Sequence, residues 1–443
     1  MSRFLPAVLT TLMLGLAACA PAPVPPARPG ALQAQAAADQ KAPVSFSEKQ
    51  YLDLTVQTIR DDLEQGSESA LQAYLDWGRT QPEYFRGSRN AIGQQLLPIL
   101  RSRKANPARI GEIEALLRSP VKSAGPTGYQ PINFSLDQGV HMNKLAEWWY
   151  YTGHLNTPDG TPYGYEICYF RVSPVILFAH LAVTDERNQR FSYERNFYLP
   201  SRVSFAKDKA SISYGPIKSE QTGPYDFSLN FPVAGKFKLN LNMHAEKEPL
   251  IINGDGLIDM PEGLDSYYYS LTRMKTSGTM EIDGKSVPVT GQSWMDHQWG
   301  HFVALRIGWD WFSFQMDDGS EYNLFGFRKR NGEKLERYVN GLVGNQPLHG
   351  KDFRIERLNW WRSPKTGRNY VTRWRVTLPQ TGEVFEVEAA VPDQEVAATK
   401  PYDIAPTYWE GRSKIVKIRP DGSRVKGLGY TEHFDYTQQI NAD

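Results

Sequence analysis

The chain has 443 residues with 50 basic and 49 acidic side chains, and this balance excludes the basic surface that nucleic-acid binding needs. The length exceeds one ordinary hydrophobic core and predicts two or three domains. Aromatic residues are abundant, with 11 Trp, 23 Tyr and 20 Phe, and such rings fill cores or line pockets for apolar ligands.

The N-terminus has the features of an export signal. Arg3 precedes the apolar run Leu5–Leu16, which is too short to span a bilayer as a mature helix. The letters LAAC, which end at Cys19, resemble the lipobox of bacterial lipoproteins, and the resemblance implies lipid attachment to that sulfur. An ordinary signal peptide with a chance cysteine is the alternative. We expect a signal peptide over residues 1–18 and a lipid-anchored protein of the bacterial cell envelope. By analogy with enteric bacteria, Ala20 favours the periplasmic side of the outer membrane.

Two segments of different character follow the signal. Residues 19–45 are rich in Pro and Ala and predict a semi-extended tether. Residues 46–125 show helical periodicity and predict a small α-helical domain, in which Ser47 caps the first helix and Asn106 caps the last. Pro98 predicts a break in the third helix. No residue of this domain suggests catalysis, so we interpret it as a packing or partner-docking module.

Beyond residue 125 the helical period disappears, and turn dipeptides alternate with short β-branched and aromatic runs. This pattern predicts antiparallel sheets that form barrels or sandwiches. The segment is long for one such sheet, so we expect two β-domains, residues 126–300 and 301–443. Cys168 lies in an aromatic strand and is expected to be a small core residue. The predicted turn pairs end in Gly160, Gly254, Gly284, Gly319, Gly332, Gly367, Gly382 and Gly422.

The segment GQSWMDHQWG, residues 291–300, is the densest in polar and aromatic side chains. His297 and His301 have the spacing that brings two imidazoles together on a helix, and His180 or Asp296 could complete a metal site. The surroundings are β-like, however, and four residues of strand span about 13 Å, too far for one ion without a turn. We therefore favour no metal here.

Two readings of the same segment remain open on spacing alone. In a strand, His297 and Trp299 face one side while Asp296 and Gln298 face the other. As a pocket wall, the imidazole could move a proton, the indole could stabilise positive charge, and Asp296 could act as an acid if burial raises its pKa. As a structural element, the same residues would only satisfy hydrogen bonds in a sheet.

A second dense stretch, HMNKLAEWWYYTGHL, has large aromatic residues on both faces of a predicted strand. One face holds Glu147, Trp149 and Tyr151, and the other holds Trp148, Tyr150 and Thr152. A buried glutamate needs a partner or a proton. We expect its partner among Arg171, Arg195 and Arg273, and a role in proton transfer is the alternative.

Together these segments resemble a lipocalin-like family that groups carotenoid 1,2-hydratase with the AttH proteins, often described as secreted hydrolases. The resemblance covers roughly residues 135–436, and it implies two consecutive lipocalin-like β-domains with a pocket for an apolar molecule. For the hydratases it implies acid-catalysed addition of water to a double bond without a cofactor. The matching segments are EWWYYTGHL, FAHLAVTD, SYYYSLTRM, GQSWMDHQWG, GWDWFSFQMDDG, YWEGRSKI and GLGYTEH.

The resemblance also implies site residues. The hydratases' His-x-Trp corresponds to His297 and Trp299, and their Tyr-x-Asp falls at Tyr322, where the Asp is missing. Asp296 or Glu321 would have to replace that acid. The residues expected to contact the ligand are Glu147, Trp149, Tyr151, His180, Trp309 and Trp311.

These inferences leave competing functions. The first is an enzyme that acts on an isoprenoid, lipid or polyketide-like molecule by acid–base chemistry, with the membrane reached through Cys19. The second is a carrier lipoprotein that only binds a hydrophobic ligand. A secreted hydrolase is a weaker third alternative, because the sequence offers neither a nucleophile nor a metal site.

Overall fold

The computed structural model describes residues 48–80, 86–119, 131–173, 175–260, 264–301, 307–329, 332–398 and 407–434. The predicted signal peptide, the anchor at Cys19, the tether and the capping Ser47 lie outside these residues. Within the described ranges, no helix combines the length and the apolar composition that a membrane crossing requires.

The helical segment has four helices in the described part of the chain: α1 (Glu48–Glu64), α2 (Ser69–Thr80), α3 (Arg86–Ser102) and α4 (Pro107–Arg118). Asn106 caps α4 as predicted, because its side chain accepts a hydrogen bond from the backbone N–H of Ala108. The apolar faces of the helices form one core that includes Ile176 and Phe178 from the β-portion. The helices therefore pack directly on the sheet that follows them.

The predicted break at Pro98 is wrong, since α3 continues through this residue. Proline removes one backbone N–H donor from a helix and normally kinks it. Here Leu96 and Leu100 on either side of Pro98 are buried in the helical core. Burial of that apolar face offsets the loss of one hydrogen bond, so the helix is retained.

The first sheet is antiparallel and runs in the order β4-β3-β2-β1-β13-β12-β9-β8-β7-β6-β5, with β10 and β11 also paired to β12. Its strands are β1 (Ala146–Asn156), β2 (Pro162–Val172), β3 (Ile176–Asp185), β4 (Arg190–Tyr198), β5 (Val203–Phe205), β6 (Ile212–Tyr214), β7 (Ile217–Gln221), β8 (Asp226–Val233), β9 (Phe237–Ala245), β10 (Leu250–Ile251), β11 (Leu257–Met260), β12 (Leu264–Ile282) and β13 (Lys285–Gly300).

The second sheet is also antiparallel and runs in the order β17-β16-β15-β14-β23-β22-β20-β19-β18, with β21 paired to β22. Its strands are β14 (Ile307–Met316), β15 (Glu321–Lys329), β16 (Lys334–Val343), β17 (Gln346–Lys351), β18 (Arg354–Arg362), β19 (Asn369–Leu378), β20 (Glu383–Ala389), β21 (Glu395–Val396), β22 (Tyr408–Ile418) and β23 (Arg424–Phe434). The prediction of a mainly β protein with a small helical segment is confirmed.

The predicted turn glycines adopt the backbone that only glycine reaches without strain. All eight of them have positive φ. The pair Asp283-Gly284 joins β12 to β13, and both residues have positive φ, as a two-residue hairpin turn requires. This turn fixes the register of β13, and the register decides which side chains of the 291–300 segment face inward.

Each sheet curls around its own hydrophobic core, and a third core lies between the two sheets. The inner core of the first sheet includes Trp149, Tyr151 and Trp299. The core between the sheets joins Tyr150 and Tyr268 of the first sheet to aromatic residues of the second. Neighbouring residues of β1 and β13 thus belong to two different environments.

Candidate active site between two sheets

Strands β1 and β13 pair side by side, and their alternation is the predicted one. Trp149 lies opposite His297, and Tyr150 lies opposite Asp296. Trp149 and Trp299 face the core inside the first sheet, whereas Tyr150 faces the core between the sheets. The face assignments made from the period of two are confirmed, and β13 presents a different functional group to each environment.

On the inner face, five side chains form what we call the interior cluster: Asp137, His141, Glu147, Arg171 and His297. Oε1 of Glu147 accepts hydrogen bonds from His297 Nε2 and His141 Nδ1, both at 2.9 Å. Oε2 accepts from Arg171 Nη2 at 3.1 Å, so Arg171 is the partner among the three arginines considered. His141 Nε2 lies 3.6 Å from Asp137 Oδ1. The carboxylate is fully engaged on both oxygens.

The charges of the interior cluster compensate one another. Burial alone would raise the pKa of Glu147, but hydrogen bonds from His141 and His297 and the charge of Arg171 hold it well below its usual range. Burial lowers the pKa of His297 to about 4 against the opposing effect of Glu147. His297 is therefore neutral near pH 7, with its proton on Nε2, and Tyr269 can donate to Nδ1, which lies 3.3 Å from its hydroxyl oxygen.

Aromatic rings enclose the imidazole of His297 on several sides. Its ring centroid lies 4.7 Å from that of Trp149 and 4.6 Å from that of Trp299. The ring of His141 stacks on Trp299 at 4.1 Å with an interplanar angle of 1°. The side chain of His297 has no exposed surface. Its surroundings are those of a packed and paired core residue.

Three members of the interior cluster could hold a metal ion, because ligand atoms of His141, Glu147 and His297 lie within 4.8 Å of one another. Two imidazoles and a carboxylate are a donor set that suits zinc. Arg171 opposes a cation, since its guanidinium already binds the same carboxylate and would repel a divalent ion. The hydrogen-bonded arrangement satisfies these groups without an ion.

The outer face of the first sheet meets the second sheet in what we call the inter-sheet layer. It contains polar and aromatic side chains that are buried or partly buried between the sheets. Its members from the first sheet are Tyr150, Glu166, Cys168, His180, Tyr268 and Asp296. Its members from the second sheet are Trp311, Asn323, Tyr408, Glu410, Tyr430 and Glu432.

Asp296 is the acidic centre of one half of this layer. Its Oδ1 accepts hydrogen bonds from Ser270 Oγ and Trp294 Nε1, both at 2.6 Å, and its Oδ2 accepts from Tyr268 Oη at 2.7 Å. Burial nevertheless raises the pKa of Asp296 to about 7. The raised pKa meets the condition under which Asp296 could act as an acid, and that role stays a prediction.

The hydroxyl of Tyr268 joins Asp296 to the second sheet. It accepts hydrogen bonds from Trp311 Nε1 at 3.0 Å and from Asn323 Nδ2 at 2.8 Å. The Asp of the family's Tyr-x-Asp would stand at position 324, and Leu324 lies in the core of the second sheet. The neighbouring Asn323 reaches the layer instead, as an amide that donates to Tyr268.

Three glutamates form the other half of the layer. Glu410 and Glu432 lie opposite each other on neighbouring strands, and Tyr150 donates a short hydrogen bond to Glu410 Oε1. Both carboxyl oxygens of Glu166 are buried and have no partner in hydrogen-bonding geometry among the described residues. Glu410 and Tyr408 nevertheless lie close enough to form hydrogen bonds with this carboxyl after a small adjustment, and both oppose the rise of its pKa.

These three carboxyl groups are wholly or partly protonated at neutral pH. Burial raises the pKa of Glu166 to about 7 and that of Glu432 to about 8. Burial, together with the charges of Glu166 and Glu432, raises the pKa of Glu410 well above its usual range. Like charges that cannot separate in a low-dielectric site do not ionise together. The layer therefore contains neutral carboxylic acids at pH 7.

The remaining predicted residues fall in several places. In the inter-sheet layer, His180 Nδ1 lies 2.7 Å from Tyr408 Oη, so it is not near His297. Trp311 is in the same layer, and Trp309 packs at its edge against Phe434 at 4.9 Å. The hydroxyl of Tyr151 accepts from Ser219 inside the first sheet.

Tyr322 and Glu321 do not join either group of acids. Tyr322 belongs to the core of the second sheet, where its hydroxyl donates to Glu383 at 3.1 Å. Glu321 binds Lys247 at 2.7 Å and also contacts Arg273, so it is an ion-paired carboxylate. The structure thus brings Asp296, Trp311 and His180 into one layer and leaves these two outside it.

The sequence reading missed Glu166, Glu410 and Glu432. A signal was present, because Glu166 in GYEICY and Glu410 in YWEGR are acidic residues among aromatic ones, like Glu147 in AEWWY. A glutamate in such a run needs a cation or a proton. Among the described residues, Glu147 has the cation and Glu166 has none.

Comparisons with known proteins identify the family to which the chain belongs. A sequence model of the AttH-like family matches residues 126–436. A comparison with curated protein sequences finds no match.

Two solved structures share the fold. One is a protein of Nitrosomonas europaea assigned to AttH, with a TM-score of 0.61 and 23% identity, covering 70% of this chain and 99% of the other. The second is kievitone hydratase from Nectria haematococca, with a TM-score of 0.59 and 15% identity, covering 71% of this chain and 97% of the other. The predicted fold class, two lipocalin-like sheets with a helical segment before them, is confirmed.

Proposed function

This chain belongs to the AttH-like family, and from that premise we propose that it binds an apolar molecule and acts on it by cofactor-free acid–base chemistry. The ligand class that we propose is isoprenoid, lipid or polyketide-like, and the reaction is a hydration, isomerisation or cyclisation. The observation that carries the proposal is the group of neutral carboxylic acids that two aromatic-rich sheets hold between them.

Glu166 is the proposed proton donor, because its carboxyl is buried, keeps a proton on part of the molecules at neutral pH and has no cation beside it among the described residues. Its O–H bond breaks, the proton joins one carbon of a double bond, and the other carbon becomes a cation. In a hydration, water adds to the cation through oxygen and returns a proton to the Glu166 carboxylate. In an isomerisation, the carboxylate removes a proton from the neighbouring carbon instead.

The surroundings of Glu166 support such a reaction. Aromatic faces can stabilise a cation, and Tyr150 and Trp311 meet in the layer with ring centroids 5.4 Å apart. Glu410, which Tyr150 holds by a hydrogen bond, keeps a second proton beside the first. Glu432 is only partly buried, and we assign it the exchange of protons with solvent.

The predicted motif residues have a place in this proposal. Asp296 is a second acid of the same layer. His297 and Trp299 hold the strand that carries Asp296, because His297 contacts Glu147 and Trp149, and Trp299 packs on His297. The direct ligand contact predicted for His297 and Trp299 stays a prediction.

The test uses the purified protein and acyclic isoprenoid alkenes, squalene and geranylgeraniol, in deuterium oxide. We expect mass spectrometry to show deuterium on alkene carbons with the wild-type protein and none above background with Glu166→Gln. Glu388→Gln, an exposed glutamate on β20, is the matched control and should retain the activity. Incorporation that survives Glu166→Gln would exclude this acid.

A carrier function is the alternative, and the engagement of Asp296 by three donors favours it, since such a group can orient a ligand without reacting. Native mass spectrometry of the purified protein should reveal a co-purifying apolar molecule under either function. If a ligand binds and no probe ever gains deuterium, the protein is a carrier.

We also propose that the protein is held at the envelope membrane through Cys19, as the lipobox-like segment suggests. The measurement is fractionation of cells that express the full chain. Wild-type protein should sediment with membranes, and Cys19→Ser should be released. A Cys19→Ser protein that stays with the membrane would contradict the anchor.

A further inference from the structure

The second sheet contains a polar cluster that the proposed function does not use. It is formed by Asp310 on β14, Arg328 on β15, Arg357 on β18 and His433 on β23. His433 Nδ1 lies 2.6 Å from Asp310 Oδ1, and Arg357 Nη2 donates to Asp310 Oδ2 at 2.9 Å. Arg328 binds the same Oδ2 by a short ion pair. Three positively charged or chargeable groups thus converge on one carboxylate.

The cluster has more positive than negative charge. Arg337 on β16 is a further neighbour, because Asp310, Arg357 and Arg328 all influence its pKa, as does Asp352. Three guanidinium groups therefore stand against two carboxylates, before His433 is counted. Positive charge that is partly removed from water is costly unless an anion accompanies it.

Nε2 of His433 and Nε of Arg357 are buried and have no hydrogen-bond partner among the described residues. The pKa of Asp310 lies well below its usual range, despite burial, because Arg328 and Arg357 favour its ionised form. An ionised Asp310 keeps a proton on Nδ1 of His433, so Nε2 of the neutral ring is bare.

Protonation of that nitrogen is opposed by its surroundings. Burial lowers the pKa of His433 against the effect of Asp310, and Arg328 and Arg357 lower it further. An anion beside the guanidinium groups would cancel this repulsion and would accept the new N–H. Anion binding and proton uptake would then favour each other.

The cluster is reachable at one side. The side chain of Arg357 is 17% exposed, whereas that of Asp310 is 2% exposed. Arg337 is also partly exposed. The arginine side chains therefore extend from the buried Asp310–His433 pair toward solvent.

We propose that this cluster binds a small oxyanion, a carboxylate or a phosphate-like group, and that the anion enters with one proton on Nε2 of His433. Arginine guanidinium groups pair with such anions in a fixed planar geometry. The site lies inside the second sheet, separate from the inter-sheet layer, so it goes beyond the proposed function.

The experiment is calorimetric titration of the full chain with acetate and with sulfate, at constant ionic strength and at pH values one unit apart near neutrality. Both probes keep a constant charge there, and their ratio of affinities distinguishes a carboxylate from a phosphate-like ligand. We expect binding of at least one probe, with an affinity that rises up to tenfold for each unit by which the pH falls.

Variants separate the charge of the site from its proton. Arg357→Gln should weaken binding at least tenfold, whereas Arg375→Gln, an exposed arginine on β19, should leave it unchanged. His433→Gln should retain binding and lose its pH dependence, a result that a merely structural histidine would not give. If Arg357→Gln fails to fold, the His433→Gln titration decides.

Three results would overturn the proposal. The first is the absence of binding of both probes at millimolar concentration. The second is equal affinity of the Arg357→Gln and Arg375→Gln proteins. The third is a wild-type affinity that does not change with pH. Each of them can occur whether or not deuterium enters an alkene at Glu166, so this test is independent of the proposed enzyme function.

Discussion

The interior cluster and the inter-sheet layer lie on opposite faces of the same strands and treat buried carboxyl groups in opposite ways. Inside the first sheet, Glu147 is ionised and bound by Arg171 and His141. Between the sheets, Glu166 and Asp296 have raised pKa values, and burial is the cause for both. The interior cluster pairs an ionised carboxylate with cations, whereas the inter-sheet layer favours the protonated, uncharged form of its carboxyl groups.

This difference is the reason for which we propose the proton donor between the sheets. A carboxylate that accepts hydrogen bonds on both oxygens and faces a guanidinium has no proton to give and no free lone pair for a substrate. A buried neutral acid has a proton available at pH 7, and its cost to stability is the usual mark of a functional group. The family motif predicts ligand contact for His297 and Trp299, which lie on the inner face of β13, whereas Asp296 lies on the opposite face.

The largest expected effect comes from a substitution that removes a charge from the interior cluster. Arg171→Met leaves Glu147 buried without its cation, and we expect a loss of about 3–5 kcal/mol in the free energy of unfolding. Denaturant unfolding followed by circular dichroism measures it. Arg101→Met, which removes an exposed ion pair with Glu114, is the control and should cost less than about 1 kcal/mol. Equal losses in both variants would mean that the interior cluster is not held by its charges.

The second prediction concerns the pH dependence of stability, to which Glu166 and Glu147 contribute with opposite signs. Glu166 has a pKa raised from 4.5 to about 7, so its contribution to stability is complete below pH 4.5 and is lost as the pH rises to about 7. Glu147 has a lowered pKa, so its contribution is present above the unfolded pKa and is lost as the pH falls below it. Stability should therefore be highest in mildly acidic solution.

Glu166→Gln should remove part of the loss on the alkaline side only. The free energy of unfolding of wild type should fall between pH 4.5 and pH 8 by on the order of 2–3 kcal/mol more than that of the variant. Denaturant unfolding across this range is the measurement. Glu388→Gln should follow the wild-type curve. A Glu166→Gln protein with an unchanged slope would show that Glu166 ionises freely in the folded state.

Much of this arrangement was predictable because local rules decide it. The period of two assigned Glu147 and Tyr150 to opposite faces, and the Asp283-Gly284 turn follows from its sequence. The choice of Arg171 as the partner of Glu147 could also have been made from the local sequence. The Asp159-Gly160 turn joins β1 to β2, and Asp159 lies midway between residues 147 and 171, which are opposite each other in the hairpin.

The inter-sheet layer was not predictable in the same way. Glu166 and Glu410 are far apart in the chain, and no local pattern tells which outward-facing residues of one sheet meet the other sheet. Sequence alternation places Glu166 on the face of the sheet that points away from the inner core. The same alternation would be found if that face were exposed to solvent. Packing of the two sheets decides that it is buried, and burial creates the raised pKa.

A third prediction sharpens the role of His297. As a neutral ring it donates Nε2–H to Glu147 at 2.9 Å, and glutamine can donate at a similar place while leucine cannot. We expect a loss of about 2 kcal/mol for His297→Leu and about 1 kcal/mol for His297→Gln. Denaturant unfolding gives both values. NMR of the ring nitrogens should show that His297 keeps a single ring proton, on Nε2, above about pH 5, since its pKa is about 4. Equal losses in the two variants would contradict the hydrogen-bonding role.

The smallest expected effect concerns Tyr268, which donates to Asp296 at 2.7 Å. Tyr268→Phe should cost about 1 kcal/mol, less than His297→Leu, because at neutral pH the acceptor is partly protonated and the lost hydrogen bond is weaker. The hydrogen bond from Tyr268 also opposes the rise in the pKa of Asp296, so its loss should raise that pKa above about 7. Stability measured against pH should then fall over a range that extends further toward alkaline values than in wild type. Trp311→Phe removes the indole N–H that donates to Tyr268 and some buried ring surface, but it keeps the hydrogen bond from Tyr268 to Asp296, so that range should stay unchanged. If Tyr268→Phe shifts the range toward acid instead, Asp296 is ionised in the folded protein, and the contrast between the two faces of β13 would rest on the glutamates alone.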